Sequence, residues 1–309
     1  MIEIRNILCP VDFSEFSKHA IDNAAAIANW YGSSITLLHV FRPIPAVAYA
    51  GAVTPLEPVV LTDEDRQRLA SELRQFAGFD HLAGVQMRTA VREGDAVAEI
   101  LDEAGRMKAD LLTVGTHGRS GFERFLLGSV TEKLLRQATC PVLTVPRRQA
   151  DAVPAGPVLF KRILCAIDFS PCSMKGLEYA MSMAQENDAE LTVMYVVTSD
   201  LIPLPGQPPN ESLDRSISVA DFFIRREAHV KQLLQDAVPE AVRAYCKVDT
   251  VLGHGKPSTE ILKLAEARGD DLIVIGVRGR GATDLALFGS TAQQVVRQAA
   301  CPVLTIRHE

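Results

Sequence analysis

The chain repeats itself, and this repetition constrains its fold more than any other feature. The segment ILCPVDFS at 7–14 returns as ILCAIDFS at 163–170, and ATCPVLTVPR at 138–147 returns as AACPVLTIRH at 299–308. The offset between the copies is 156 residues at the first segment and 161 at the last, so the second copy is slightly longer. Repeats in the same order indicate two structurally equivalent units.

A chain of 309 residues suits two domains of roughly 150 residues each. The segment RRQADAVPAGPV at 147–158 is polar at first and then rich in Pro, Gly and Ala, as is typical of a connection between domains. We therefore predict domains at 1–147 and 159–309, joined by a linker at 148–158.

Each copy alternates apolar runs with amphipathic segments, which predicts an α/β fold with a parallel, doubly wound sheet. The apolar runs are nearly continuous Ile, Leu and Val, as expected of strands covered on both faces. Ligands of such sheets bind outside the carboxyl ends of the strands, where the strand order reverses. In the first copy we predict strands near 5–11, 35–40, 85–91, 110–115 and 141–145. Helices are predicted near 15–30, 62–77, 95–108 and 129–138, the last with Val130, Leu134 and Ala138 on its packed face.

Glycines recur at equal spacing after the fourth predicted strand of each copy. VGTHGRSGFERFLLGS at 114–129 corresponds to IGVRGRGATDLALFGS at 275–290, and a serine follows the last glycine both times. Glycine at a strand end permits positive φ and lets a ligand approach the main chain. The recurring glycines are Gly115, Gly118 and Gly128 in the first copy and Gly276, Gly279 and Gly289 in the second.

The serine after the last glycine opens the final predicted helix of each copy. Ser129 with Glu132 fits the spacing of a capping box, and Ser290 with Gln293 fits it again. The unpaired amides and the dipole at a helix start favour an anion, so the two ends of the motif would bracket a phosphate. The alternative is that the glycines only shape the turn and the serines only cap helices. The sequence matches neither a Walker A loop nor a GxGxxG after the first strand.

The pattern G-x2-G-x9-G-Ser after the fourth strand, together with ILCPVDFS and CPVLTV, resembles the ATP-binding branch of the universal stress protein family. The resemblance covers essentially the whole chain, twice. It implies two tandem Rossmann-like domains, each with a five-stranded parallel sheet of order 3-2-1-4-5. It also implies binding of ATP, or of ADP or AMP, with or without Mg²⁺. Family members commonly pair through the last strand, which implies intrachain pairing of the two domains and leaves a homodimer open.

The resemblance also assigns roles to residues. In the first copy it puts the base near Asp12 and Val40, at the ends of the first two strands. The ribose and phosphates would lie along Gly115, Gly118, Gly128, Ser129 and Val130. The matching positions of the second copy are Asp168, Val196, Gly276, Gly279, Gly289, Ser290 and Thr291.

Asp12 has two interpretations, a helix cap or a residue that faces the ligand. In the second copy Ser170-Pro171 places a serine cap before proline at the first helical position. The repeat therefore predicts Ser14 as the first copy's cap and leaves Asp12 and Asp168 to face a ligand. Pro10 would interrupt a central strand, so we expect it where the strand ends, at the site.

The two motifs are not equal, because His117, Thr116 and Gly121 become Arg278, Val277 and Ala282. The second copy would then bind more weakly, or bind a different nucleotide. Arg119 and Arg280 are retained and either meet phosphates or are solvated. His117 is expected to form hydrogen bonds within its loop.

Composition limits the alternatives. The net charge is −6, with acidic and basic residues in both halves, which argues against nucleic-acid binding. We expect no membrane span, because no apolar run is long enough, and the start lacks a secretion pattern, so we expect a cytoplasmic protein. The six cysteines lack CxxC spacing. Four recur in apolar runs as expected core residues, while Cys172, near a helix start, is a weak redox signal.

Three functions remain open from the sequence. The leading hypothesis is a stress-response or signalling protein in which nucleotide occupancy changes partner binding or assembly, without catalytic residues. The second is an enzyme, either a slow ATPase or a nucleotidyl transferase; the VDFS and IDFS ends of the first strands count against the transferase. The third is a structural pseudo-dimer that binds no nucleotide.

Overall fold

The computed structural model describes residues 2–42, 61–78, 84–117, 127–146, 160–198, 219–279 and 288–307. The chain divides into two compact units, residues 3–147 and 148–309. Over the described ranges, no helix combines the length and the apolar character that a membrane crossing requires.

The first unit is a parallel sheet with helices between successive strands. Its strands pair in the order β3-β2-β1-β4-β5, which is the order that the resemblance implied. The order reverses between β1 and β4, so the carboxyl ends of these two strands flank the crevice where ligands of this fold class bind. The elements are β1 (Asn6–Pro10), α1 (Glu15–Tyr31), β2 (Ser34–Phe41), α2 (Asp63–Ala77), β3 (Gln86–Glu93), α3 (Ala96–Arg106), β4 (Leu111–Gly115), α4 (Ser129–Gln137) and β5 (Val142–Val145).

The second unit repeats this arrangement, with strand order β8-β7-β6-β9-β10 and parallel pairing throughout. It adds the short helix α7, which was not among the predicted elements. The elements are β6 (Arg162–Ala166), α5 (Pro171–Asn187), β7 (Glu190–Val197), α6 (Val219–Asp236), α7 (Glu240–Tyr245), β8 (Val248–His254), α8 (Pro257–Arg268), β9 (Leu272–Gly276), α9 (Ser290–Gln298) and β10 (Val303–Ile306).

The central strands form the core of each unit. Ile7, Leu8 and Cys9 of β1 are fully buried, and so are Ile163, Leu164 and Cys165 of β6. Burial of both faces matches the nearly continuous apolar runs. The cysteine expectation is confirmed for Cys9 and Cys165, and burial raises the pKa of both thiols far above the ordinary range.

The predicted starts of the first helix in each copy are confirmed. Ser14 caps α1 and accepts a hydrogen bond from the Ser17 amide, while Ser170 caps α5 with Pro171 as the first helical residue. Val130 was wrongly assigned to the packed face of α4. It is 36% exposed, whereas Leu134 and Ala138 are buried, because Val130 lies in the first turn, at the open end of the helix.

Candidate functional site

The carboxyl edge of each sheet brings together the residues that the sequence singled out. In the first unit Asp12 follows β1, Gly115 ends β4 and Gly128 precedes α4; we call this edge the first site. The second site is the equivalent edge, formed by Asp168, Gly276 and Gly289. Pro10 is the last residue of β1, as predicted, and Val40 and Val196 lie half-buried near the ends of β2 and β7.

The Asp12 carboxylate helps to build the turn before α1. Its Oδ1 atom accepts from the Ser14 amide at 3.1 Å and from the Ser14 hydroxyl at 2.6 Å, and it also accepts from the Ser17 hydroxyl. Asp12 is therefore not the cap of α1, but its carboxylate holds Ser14, which is the cap. One carboxylate oxygen is thus committed to the turn, and the expectation that Asp12 faces a ligand stays a prediction.

In the second site the aspartate lies beside a motif glycine. Asp168 Oδ1 accepts from the Ser170 amide at 3.0 Å. A Cβ added to Gly279 would lie 2.6 Å from Asp168 Oδ2. The motif after β9 and the aspartate after β6 therefore lie side by side, and a side chain at position 279 would require the Asp168 carboxylate to move.

Sequence reasoning missed a strained aromatic residue in each site. Phe13 and Phe169 both have φ of 62°, a left-handed conformation that a bulky residue rarely adopts. The Phe13 ring lies 4.8 Å from that of His39 and the Phe169 ring 5.5 Å from that of Tyr195, between centroids. Such strain persists where surrounding packing enforces it, often at functional sites. The signal was the phenylalanine that follows the aspartate in both VDFS and IDFS.

Gly115 and Gly276 are required for a reason other than the predicted one. Neither is among the glycines with positive φ. A Cβ on Gly115 would lie 2.7 Å from the Phe16 Cβ, and one on Gly276 would lie 2.8 Å from the Ser173 amide nitrogen. These glycines therefore let the starts of α1 and α5 pack directly on the ends of β4 and β9. Of the two reasons expected for glycine at these positions, positive φ does not apply, and the approach of a ligand to the main chain stays a prediction.

The last glycine of each motif, rather than the serine, is the helix cap. Gly128 and Gly289 are the N-caps of α4 and α9, and neither helix has a side-chain capping bond. The capping boxes predicted for Ser129 and Ser290 are therefore wrong, and both serines are exposed first residues of their helices. The first amides of any α-helix lack a partner within the helix, and at α4 and α9 no capping side chain supplies one.

The glycine caps hold each helix start against the end of a strand. Gly128 donates its amide hydrogen to the Thr116 carbonyl, and Gly289 donates to the Val277 carbonyl, both at 2.8 Å. A Cβ on Gly289 would come within 2.9 Å of that Val277 oxygen. The strand end and the uncapped amides are thus fixed side by side in both units.

His117 is placed by its neighbours in the first site. Its Nδ1 atom lies 3.0 Å from the Thr116 hydroxyl, and its ring centroid lies 5.2 Å from that of Phe16. The expectation of a hydrogen bond within the loop is confirmed. Gly118, Arg119, Gly121, Arg280 and Ala282 lie outside the described residues, so their predicted roles stay predictions.

Fold and edge geometry together define a doubly wound α/β protein that carries, at each topological switch point, a candidate anion site. The chain belongs to the universal stress protein family, whose model matches residues 3–146 and 159–307. The two matched segments correspond to the two structural units.

Relatives of similar length and of half the length are both found. A universal stress protein of Mycolicibacterium smegmatis is 29% identical over 306 residues, which cover 97% of this chain and 96% of that protein. One of Methanocaldococcus jannaschii is 32% identical over 152 residues, which cover 49% of this chain and 85% of that protein. A universal stress protein structure from Archaeoglobus fulgidus has a TM-score of 0.63 at 23% identity, covering 99% of this chain and 97% of that one. This last similarity shows the fold.

Proposed function

We propose that this universal stress protein binds an adenine nucleotide (ATP, ADP or AMP) at each site. We further propose that it acts as a stress-response or signalling module. Nucleotide occupancy would change its assembly or its binding to partners. The observation that carries the proposal is the uncapped start of α4 and of α9, held against a glycine-ended strand in both units.

The chemistry of these helix starts suits a phosphate. Amides without a helical partner point out of the helix end, and the helix dipole adds a partial positive charge there. The exposed Ser129 and Ser290 hydroxyls add donors at the same ends. Among the described residues no group of three His, Cys, Asp or Glu side chains could hold a metal ion. An accompanying Mg²⁺ would take its ligands chiefly from the phosphates.

Replacing the two serines by aspartate tests the proposal without weakening the helices. A carboxylate in the first turn favours the helix dipole but repels a phosphate at the same amides. We expect Ser129→Asp with Ser290→Asp to weaken ATP binding at least tenfold, measured by calorimetric titration of the full chain. Two unit charges about 5 Å apart repel by roughly 3 kcal/mol at an effective dielectric constant of 20, which is ample for this loss.

The matched control is Ser129→Asn with Ser290→Asn, which keeps the size and adds no charge. We expect this variant to bind ATP within a few-fold of the natural protein. If the natural protein binds no adenine nucleotide at millimolar concentration, the proposal fails and a structural pseudo-dimer becomes the better description. Equal binding by the Asp and Asn variants would mean that nucleotide lies elsewhere.

A further inference from the structure

Three residues at the carboxyl edge of the first unit are all replaced in the second. The Phe16 and His117 rings lie 5.2 Å apart and are tilted against each other, and Pro146 follows β5 at the same edge. By the repeat offsets, their counterparts are Cys172, Arg278 and Arg307. A benzyl ring, an imidazole and a proline are thus replaced by a thiol and two guanidinium groups.

The three counterparts also lie together in the second unit. Cys172 packs on Gly276, since a Cβ on that glycine would lie 3.0 Å from the Cys172 Cβ. Burial and the nearby Arg278 charge both lower the pKa of Arg307, and Cys172 also acts on it electrostatically. The Val277 amide donates to the Ile306 carbonyl at 2.8 Å, so the next residues, Arg278 and Arg307, leave neighbouring strand ends, and both are half-buried.

Helix starts add to the positive charge around Arg278. The Arg278 carbonyl accepts from the hydroxyl of Ser170, the cap of α5, at 3.1 Å. A Cβ on Gly289, the cap of α9, would lie 3.8 Å from the Arg278 Cα. Arg278 therefore lies between the positive ends of two helix dipoles. Its buried Nε atom has no hydrogen-bond partner among the described residues.

The aspartate does not cancel this difference, because Asp12 and Asp168 occupy equivalent places in the two sites. Compared with the first site, the described part of the second site carries two additional cations. Repulsion between half-buried like charges is relieved when an anion binds between or beside them, and the gain grows with the charge of that anion.

We propose that the second site selects a more highly charged phosphate ligand than the first, so that its affinity rises more steeply from AMP through ADP to ATP. Arg278 and Arg307 are the specificity-determining residues. This inference rests on the proposed function, since it assigns a preference to the same pair of nucleotide sites.

The test separates the two sites within the full chain. Ser129→Asp weakens the first site so that a titration reports chiefly the second, and Ser290→Asp does the reverse. Each protein is titrated with AMP, ADP and ATP at low and at high NaCl concentration. We expect the ratio of the AMP and ATP dissociation constants to be at least tenfold larger for the second site. We also expect high salt to weaken ATP binding more at the second site.

Charge variants in the Ser129→Asp background identify the residues responsible. Arg278→Gln should reduce the ratio of the AMP and ATP dissociation constants toward the value of the first site, and so should Arg307→Gln. Arg278→Lys keeps the charge and should keep a large ratio, which separates an electrostatic role from a packing role. Thermal melts of each variant verify that the protein is folded.

The outcomes distinguish this inference from the proposed function. Equal ratios at the two sites overturn the inference and leave nucleotide binding intact. Binding confined to the first site, or a ratio that Arg278→Gln and Arg307→Gln both leave unchanged, overturns it as well. Absence of adenine-nucleotide binding by the natural protein overturns the proposed function itself.

Discussion

Single atoms decide which residue types the sites accept. A methyl group at Gly115 would overlap Phe16, and one at Gly276 would meet the α5 main chain, at Ser173. In contrast, Gly105 in α3 has open space where its Cβ would be. Glycine is thus sterically required at Gly115 and Gly276 but not at Gly105, and the spacing of the glycines in the sequence did not reveal this difference.

We predict that Gly115→Ala lowers the free energy of unfolding by about 1–3 kcal/mol, the usual cost of overpacking a core. Phe16 contributes main-chain as well as side-chain atoms to the clash, so the strand and helix must separate. Gly105→Ala is the control and should stabilise by about 0.5–1 kcal/mol, since alanine is the better helix former. Denaturant unfolding followed by circular dichroism measures both. A neutral Gly115→Ala would show that α1 and β4 can shift freely.

A buried carboxylate distinguishes the amino edge of the second sheet. Asp270 lies between α8 and β9 and is 7% exposed. Burial raises the pKa of its carboxyl group from 3.8 to about 6, and Asp271 adds to the rise while Arg268 and Arg162 oppose it. The equivalent residue in the first copy is Ala109.

This pKa gives a stability effect with a defined sign. Between pH 4 and 6 the folded protein holds a proton that the unfolded chain has released, so ionisation of Asp270 destabilises the fold as pH rises. We predict that Asp270→Ala stabilises the protein by about 2–3 kcal/mol at pH 8 and by much less at pH 4. Unfolding free energies measured across this range check the prediction. A difference that does not vary with pH would contradict it.

Helix starts are the elements on which the candidate function depends. The starts of α1 and α5 are capped by serine, and those of α4 and α9 by glycine without a side-chain bond. A serine cap satisfies an amide internally, whereas a glycine cap leaves amides for another partner. Each unit therefore has one helix start at its carboxyl edge that a serine side chain caps and one that no side chain caps.

We predict that Ser170→Ala weakens both the fold and the second site. The serine accepts from the Ser173 amide at 3.3 Å and donates to the Arg278 carbonyl at 3.1 Å, so its loss removes a cap and a link to the motif. The cap alone is worth about 0.5–2 kcal/mol. Ser14→Ala should cost a similar free energy of unfolding without changing nucleotide affinity at the second site. Unfolding curves and titrations of both variants, with Ser170→Thr as the control that keeps the hydroxyl, test this.

At the scale of the whole molecule, the duplication gives the two units equivalent candidate sites whose side chains carry different charges. The first copy retains Thr131, whose hydroxyl donates to the Gly115 carbonyl at 2.8 Å, while the second has Ala292 at the equivalent position. Because of such differences, we expect the two sites of one chain to bind nucleotide with different affinities.

We predict that the chain binds up to two nucleotides. Native mass spectrometry of the full protein should show added masses of one and of two nucleotides as the ATP concentration rises, with distinct apparent affinities. The same spectra report the oligomeric state with and without ATP. The Ser129→Asp variant should lose one of the two additions, and retention of both would contradict the assignment of the first site.

The sequence by itself determined the repeat, the order of strands and helices, and the serine caps of α1 and α5. These features are local, because apolar spacing and capping residues act over a few neighbouring positions. The resemblance to a known family supplied the strand order, which local spacing could not.

Only the tertiary structure decided why Gly115 and Gly276 are glycines, that Gly128 and Gly289 cap their helices, and that Phe13 and Phe169 are held at positive φ. It also brought Cys172, Arg278 and Arg307 together at one edge. These facts depend on contacts between separate segments, and the contacts of Gly115 and Gly276 join residues about a hundred positions apart in the chain. Parallel strands bring such segments to a common edge, and no local pattern records which side chains then meet.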